Sequence, residues 1–363
     1  MKTSSKQKKR ILVAPLNWGL GHATRCMPII NTLIEQDVEV IIASDGTALN
    51  LLKKEYPQLT FLELPAYNVT YRTSNMLWNI ATQSPKIAVA MFHEFFALQR
   101  IIKKHQIDAV ITDNRYGCWT WKVPTVFMTH QINIKTPNRI LQFLVSWWNF
   151  LVLRLFNTVW IPDVPNEPNL AGDLAHNFPI RHAKYIGVLS RMKPLKVGKR
   201  YDIGIILSGP EPQRTFLEEK LLREVRNYQK GNPNTKVLFV KGKMNVEEYK
   251  VSDKLEIHGY LTAKELNQKM AACGLIIARS GYSTVMDLVA MNKKAIMIPT
   301  PGQTEQEYLA TLYQKQQVFY TESQSEFELA KAIRESEKYQ GFQIDLKNQD
   351  LLKMAIKNLI NNL

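Results

Sequence analysis

Short apolar runs and longer stretches of helical spacing alternate along this chain. Ile11–Pro15, Val38–Ala43, Thr60–Leu64, Ala109–Thr112, Thr125–Thr129, Val159–Ile161 and Tyr185–Val188 have strand length and are rich in β-branched residues. Ile203–Leu207, Thr235–Val240, Glu256–His258, Leu275–Ala278 and Ala295–Ile298 repeat the pattern in the second half. Between them, apolar residues recur at helical spacing: Ile29, Ile30, Leu33 and Ile34, then Ile87–His105, and the closing stretches Phe327–Ala332 and Leu351–Ile360. Strands separated by helices predict parallel sheets and an α/β fold. Residues Ser190–Arg200, SRMKPLKVGKR, break the pattern: they are basic, poor in apolar side chains and aperiodic, and so read as a hinge. The expectation is an N-terminal domain over 1–189, a linker over 190–200 and a C-terminal domain over 201–363. With 363 residues, 45% of them hydrophobic, each half can bury its own core. No internal repeat or long low-complexity segment intervenes.

Open α/β sheets bind ligands beyond the carboxyl ends of their strands, so the chemistry is sought in the loops there. The first strand runs into NWGLGHATR, where Gly19 and Gly21 allow a sharp turn close to a ligand and His22 stands at the mouth of a helix. Read alone, His22 is either a structural hydrogen-bonder or a base facing a cleft. Asp113, at the end of Ala109–Thr112, orients His22 or holds an acceptor hydroxyl, or else caps the next turn. His130, after Thr125–Thr129, is a weaker case of the same position, and Asp45 reads as a loop or cap residue. The aperiodic segment Tyr67–Asn79, with Tyr71, Arg72 and Trp78, reads as packing or as an acceptor-side loop. In the second half, Ser208 and Gly209 of the loop SGPEPQR are placed to approach a phosphate, with Arg214 to pair with it. The stretch Gly274–Ala310 holds two successive strand-loop-helix units: one turns through Ser280-Gly281 into a helix from Thr284, the other is stopped by Pro299, Pro301 and Gly302. The N-terminus of the first of these helices suits an anion, and a phosphate above all. A dinucleotide fingerprint would need glycine where Thr24 stands, and neither a Walker A sequence nor metal-ligand spacing occurs.

RSGYSTVMD followed by AIMIPTPGQTEQE resembles glycosyltransferase family 28 over about forty residues. The two similar halves extend that likeness over most of the chain. The resemblance implies the GT-B fold, two Rossmann-like parallel-sheet domains facing across a cleft. It implies a nucleotide-sugar donor on the second domain, held by Arg279, Ser280, Gly281, Ser283, Thr284, Gln303 and Gln306, with Tyr260 in the loop where relatives hold the base. Asp287 takes the place of the family's ribose-binding glutamate, one methylene shorter, and Glu307 replaces the second of a glutamine pair. Placed in the first turn of its helix, Asp287 either accepts from ribose hydroxyls or only complements the helix dipole. On the acceptor side the resemblance places Gly19, Gly21, His22, Arg25 and His130. It implies an inverting, metal-independent transfer of a hexose or N-acetylhexosamine from UDP, with no bound cofactor. His22 is then the base, Asp113 its partner, and the acceptor a cell-envelope or lipid-linked one. A nucleotide-sugar hydrolase or epimerase on the same frame, or a binding protein with a dead cleft, are the alternative readings.

Charge changes the picture further. Lysine and arginine number 47 against 32 acids, a net charge of +15. That excess is either a plain soluble surface or a match to an anionic partner. Of anionic partners, the nucleotide and a membrane surface are kept and nucleic acid is not. Ile140–Ile161 is the most apolar stretch, but its uncharged run ends at Leu153, short of a bilayer span. Gln142, Ser146 and Asn149 form a narrow polar stripe along it. The stretch is therefore either a core helix or one lying in a membrane interface over 140–156, helped by Lys135, Arg139 and Arg154. Three scattered cysteines and a basic tail without a secretory apolar run fit a cytoplasmic protein, at the inner face of the membrane if the interface reading holds.

Overall fold

Strands that are apolar on both faces need a layer of helices on each side, and the chain supplies these twice. The computed structural model describes residues 8–68, 76–136, 138–177, 180–243, 249–344 and 350–363, with the side chains of 76–81 and 249–251 left aside. The first unit comprises Met1–Leu189 with Lys347–Leu363, and the second Ser190–Leu346.

In the first unit the elements are β1 (Arg10–Pro15), α1 (Leu20–Glu35), β2 (Glu39–Ser44), α2 (Gly46–Glu55), β3 (Thr60–Glu63), α3 (Met76–His105), β4 (Ala109–Asp113), β5 (Thr125–Met128), α4 (Arg139–Leu153), β6 (Thr158–Ile161) and β7 (Ala183–Tyr185). All seven strands are parallel, in the order β3-β2-β1-β4-β5-β6-β7. Ile11 to Ala14 of β1 are wholly buried, as a central strand covered on both faces must be. The order reverses between β1 and β4, so the loops leaving these two strands diverge and open a crevice between them. Gly19 makes the turn into α1, with φ +82° at the helix N-cap, in the left-handed region that favours glycine. Gly21 lies inside the first turn of α1, so the sharp turn expected of both glycines rests on Gly19 alone.

The second unit contains β8 (Tyr201–Ile206), α5 (Gln213–Gly231), β9 (Val237–Val240), β10 (Tyr249–Ser252), β11 (Leu255–His258), α6 (Ala263–Ala271), β12 (Cys273–Ala278), α7 (Tyr282–Ala290), β13 (Ala295–Met297), α8 (Thr304–Lys315), β14 (Tyr320–Thr321) and α9 (Leu329–Ser336). Its sheet runs β10-β11-β9-β8-β12-β13-β14, parallel except for the β10–β11 pair at one edge. Here the order reverses between β8 and β12. Ile205, Leu217, Leu221, Phe239, Ile277 and Ile296 pack one face of this sheet against α5. The fold is thus the expected pair of Rossmann-like domains.

A final helix, α10 (Asp350–Asn361), departs from the expected division at residue 201, because it belongs to the first unit. It buries Ala355, Ile356 and Leu359 and packs beside α1, while Lys9 Nζ reaches the carbonyl of Leu363 at 2.8 Å. The apolar stripe of a closing helix is legible in sequence, but the surface it covers is not.

Candidate active site

In the first unit, residues from α1 and from the ends of β4 and β5 meet at the sheet's switch point. Pro15 and Asp113 are register partners at the carboxyl ends of β1 and β4, so the loop that carries α1 starts beside Asp113. His22 and Arg25 lie three residues apart on α1 and share a face. His22 Nδ1 is 3.1 Å from Asp113 Oδ2. Arg25 grips the same carboxylate with two nitrogens, Nε to Oδ2 at 2.6 Å and Nη2 to Oδ1, a fork-to-fork pair. Its Nη1 is 2.9 Å from His130 Nδ1, and Nη2 is 2.8 Å from His22 Nδ1.

Burial divides this group into a front and a back. Asp113, Arg25 and His130 are buried, whereas the His22 side chain keeps 14% of its exposure. Arg25 and His130, expected on an acceptor surface, therefore stand behind His22 as its support; Gly19 is exposed and Gly21 half-buried. Burial raises the Asp113 carboxyl, but Arg25 and then His22 outweigh it and hold the group down at about 2. Burial lowers the His22 pKa, Asp113 opposes this, and Arg25 and His130 add to the lowering. The imidazole is therefore neutral at pH 7. Its Nδ1 has an acceptor on one side and a donor on the other and can satisfy one at a time. Donating to Asp113 leaves Nε2 bare as a base; accepting from Arg25 leaves Nε2 as a donor.

A second buried network, which the sequence reading missed, fixes the loop before α1. Arg115 Nη1 donates to Asp45 Oδ1 at 2.7 Å and Nη2 to the Pro65 carbonyl at 2.7 Å, while its Nε meets Glu94. Asn17 Nδ2 donates to Asp45 Oδ2 at 2.8 Å, and Asn17 Oδ1 accepts from the Ala48 amide at 3.2 Å. Asn17, not Asp45, thus caps α2, and Asp45 is the counter-ion of Arg115. The segment Tyr67–Asn79 falls largely outside the described residues, including Tyr71, Arg72 and the Trp78 side chain.

In the second unit the loops after β8, β12 and β13 come together. The helix α7 begins at Tyr282, two residues before the expected Thr284, and its N-cap is Gly281, which has no side chain to close the first amides. Ser280 is buried and its hydroxyl donates to the Gln306 carbonyl at 2.8 Å, tying β12 to α8. Gln306 Oε1 accepts from the Thr300 amide at 2.9 Å, and its Nε2 contacts Gln303. Gly209, exposed with φ +105°, brings the loop after β8 over Thr300: a Cβ there would stand 3.6 Å from Thr300 Oγ1. Ser208 is exposed, and Ser283, Thr284 and Tyr260 are half-buried.

Three expected donor residues are placed differently. Arg279 is wholly buried and points away from the loop mouth, donating to the carbonyls of Pro299 at 3.1 Å and Gln213 at 2.9 Å and to Gln324 Oε1 at 2.6 Å. Without a carboxylate beside it, burial pulls its pKa down to about 10. Arg214 is engaged by Glu211, Nη2 to Oε1 at 2.7 Å, and by the Gly242 carbonyl at 2.7 Å. Asp287 sits in the second turn of α7, not the first, so it cannot serve as a dipole cap; its Oδ1 accepts from the Ser190 hydroxyl at 2.6 Å. Burial raises the Asp287 pKa, while Arg191 and the Ser190 bond oppose that rise. Ser190, read as plain linker, is thus an anchor.

The expected helix over 140–156 is α4, with its buried residues Ser146, Asn149 and Leu153 toward the unit and most of its apolar side chains outward. Among the described residues no helix is long and apolar enough to cross a membrane. No group of three or more His, Cys, Asp or Glu among them could hold a metal ion. All three cysteines are free and buried.

Residues 212–361 match the glycosyltransferase family 28 C-terminal domain. An uncharacterized glycosyltransferase of Methanosarcina acetivorans is 22% identical over 380 residues, covering 95% of this chain and 92% of its own. The UDP-N-acetylglucosamine--N-acetylmuramyl-(pentapeptide) pyrophosphoryl-undecaprenol N-acetylglucosamine transferase of Methylorubrum populi is 47% identical over 47 residues, 13% of each chain. The crystal structure of Acinetobacter baumannii MurG superposes with a TM-score of 0.55 at 14% identity, covering 98% of this chain and 95% of that one.

Proposed function

We propose that this chain, whose residues 212–361 match the glycosyltransferase family 28 C-terminal domain and whose fold is GT-B, is a glycosyltransferase that moves a hexose or N-acetylhexosamine from a UDP-sugar to a cell-envelope or lipid-linked acceptor, with inversion and without a metal. The observation that carries this reading is His22, half-buried and neutral, 3.1 Å from a buried ionised carboxylate. In the tautomer that donates Nδ1–H to Asp113, Nε2 takes the proton of the acceptor hydroxyl as its oxygen attacks the anomeric carbon. The bond from that carbon to the diphosphate oxygen then breaks with inversion, and the charge Asp113 carries stabilises the imidazolium formed. On the donor side, the N-terminus of α7, opened by Gly281, and the Gly209 loop receive the departing diphosphate, whose added negative charge the amides and helix dipole neutralise. UDP rather than another nucleotide is supported by the Methylorubrum relative, whose name gives UDP-N-acetylglucosamine as its donor. Asp287 is the proposed ribose partner, exchanging the Ser190 hydroxyl for those of the sugar.

Calorimetric titration with UDP tests the donor half directly. Wild-type protein should bind, and Asp287→Asn, which keeps shape, should bind about tenfold or more weakly at unchanged thermal stability. Wild-type protein that takes up no UDP, or an Asn variant that binds it normally, would remove the assignment.

A further inference from the structure

A buried polar atom is almost always hydrogen-bonded, so an exception asks for a reason. Thr300, in the loop after β13, is 2% exposed, and its Oγ1 has no partner among the described residues. The rest of the residue is held fast, its amide donating to Gln306 Oε1 at 2.9 Å. Over the hydroxyl lies Gly209: an added Cβ there would stand 3.6 Å from Thr300 Oγ1 and, its chain neighbours aside, within 4 Å of no other described atom. The hydroxyl thus faces the loop after β8 across open space. Beneath the same loop lies a second unpaired group. Arg279 is wholly buried and donates only to neutral oxygens, the carbonyls of Ile298, Pro299 and Gln213 and Oε1 of Gln324, while its Nε has no partner among the described residues. Ile298 and Pro299 immediately precede Thr300. A buried cation that no carboxylate offsets is costly, and it draws an anion toward the loop it supports.

The two helix ends nearby decide where that anion sits. The helix α8 supplies its own: Glu305 and Glu307 stand in its first turn, and Glu307 Oε1 accepts from the Gly302 amide at 2.9 Å. The helix α7 has no acid in its first turn and no side-chain cap. Its N-cap, Gly281, is joined to Thr300 through one side-chain amide: a Cβ on Gly281 would stand 4.0 Å from Gln306 Nε2, and Gln306 Oε1 holds the Thr300 amide. An anion at the open end of α7 is therefore one amide group away from the Thr300 loop. We propose that Thr300 is a further donor-binding residue, its hydroxyl donating to an oxygen of the diphosphate seated at the N-terminus of α7, between the Gly209 loop and the loop after β13. The hydroxyl gains its bond only with the diphosphate, and the Arg279 charge is then opposed. A bond to a phosphate oxygen is charge-assisted and stronger than one to a sugar hydroxyl, so the diphosphate outranks the sugar as the partner. The inference rests on the proposed donor site and adds to it a residue outside the expected donor set.

The test compares wild-type protein with Thr300→Val, which keeps the shape and removes the hydroxyl, and with Thr300→Ser, which keeps the hydroxyl. Binding of UDP and of UDP-N-acetylglucosamine is followed by calorimetry, binding of uridine by ligand-observed NMR, and stability by thermal melts without ligand. Thr300→Val should bind UDP about tenfold or more weakly and uridine as wild type does. It should melt no lower than wild type, because the hydroxyl it lacks bonds nothing in the absence of the diphosphate. Thr300→Ser should restore most of the UDP binding. A lower melting temperature for Thr300→Val would make the hydroxyl structural, an equal loss of uridine binding would mean a distorted loop, and a loss confined to UDP-N-acetylglucosamine would place the hydroxyl on the sugar; each overturns the proposal. Normal UDP binding by Thr300→Val strikes this residue alone, whereas wild-type protein that binds no UDP overturns the proposed donor site and this residue with it.

Discussion

A histidine serves as a base only if one ring nitrogen is bare at the working pH, and the surroundings of His22 hold it there: burial, Arg25 and His130 lower its pKa against the pull of Asp113. Turnover should therefore fall as pH drops through a value below 6.5, a pH–rate profile whose acid limb is absent from His22→Ala. That variant should lose about 100-fold in turnover, with UDP binding little changed. The sign carries over to stability, since an unfolded chain with the ordinary, higher pKa binds the proton first and the folded state loses ground as pH falls. Asp113 is a different case. It is held near 2 by Arg25, so Asp113→Asn strands a buried guanidinium and should cost about 3–5 kcal/mol in denaturant unfolding. A cost near zero would show that Arg25 finds another partner. The pairing of His22 with Asp113 was legible in the sequence because both stand at carboxyl strand ends. The position of Arg25 behind them was not, although its spacing of three from His22 put it on the same helix face. Arg279 is the opposite case: its place beside Ser280 suggests a ligand, but the fold turns it inward onto carbonyls.

Among the elements, strands and their order of helices were plain in the apolar pattern, since central parallel strands are apolar throughout. What the pattern left open was direction, the side to which an amphipathic helix turns. For α4 an apolar majority suggests a core helix, yet the buried side is Ser146 and Asn149. The reason is local: the carbonyls of Gln131 and Ile132 and the Tyr116 hydroxyl need partners, and Asn149 supplies all three bonds. This predicts an inverted mutational pattern. Asn149→Ala should destabilise by about 1–3 kcal/mol, leaving buried polar groups unpaired, while Leu144→Ser on the same helix should stay within about 0.5 kcal/mol, as for other surface sites. Thermal melts of the two variants check this, and the reverse ranking would contradict the inside-out packing. The helix α6 shows a signal present but unread. Thr262 and Glu265 form a complete capping box, and that spacing alone marks the start of the helix.

At the scale of the whole molecule, two parallel sheets with separate cores account for the repetition of strand and helix, and residues 190–200, expected as a linker, belong to the second unit. The return of α10 to the first unit was hidden because packing partners distant in sequence leave no periodic trace. Ile356 is fully buried there, so Ile356→Ala should cost about 2–5 kcal/mol, and calorimetry should place the loss in the transition of the first unit with the second unmoved. The central claim, transfer of an activated sugar with His22 as base, is met most directly by product analysis. Purified protein is incubated with UDP-hexoses and UDP-N-acetylhexosamines, with and without membrane lipid extract, and the products are resolved by mass spectrometry. The account predicts a lipid carrying one added sugar, formed only when extract is present and about 100-fold more slowly by His22→Ala. Sugar released to water or rearranged at the same rate with or without extract, or transfer undiminished in the variant, would contradict it.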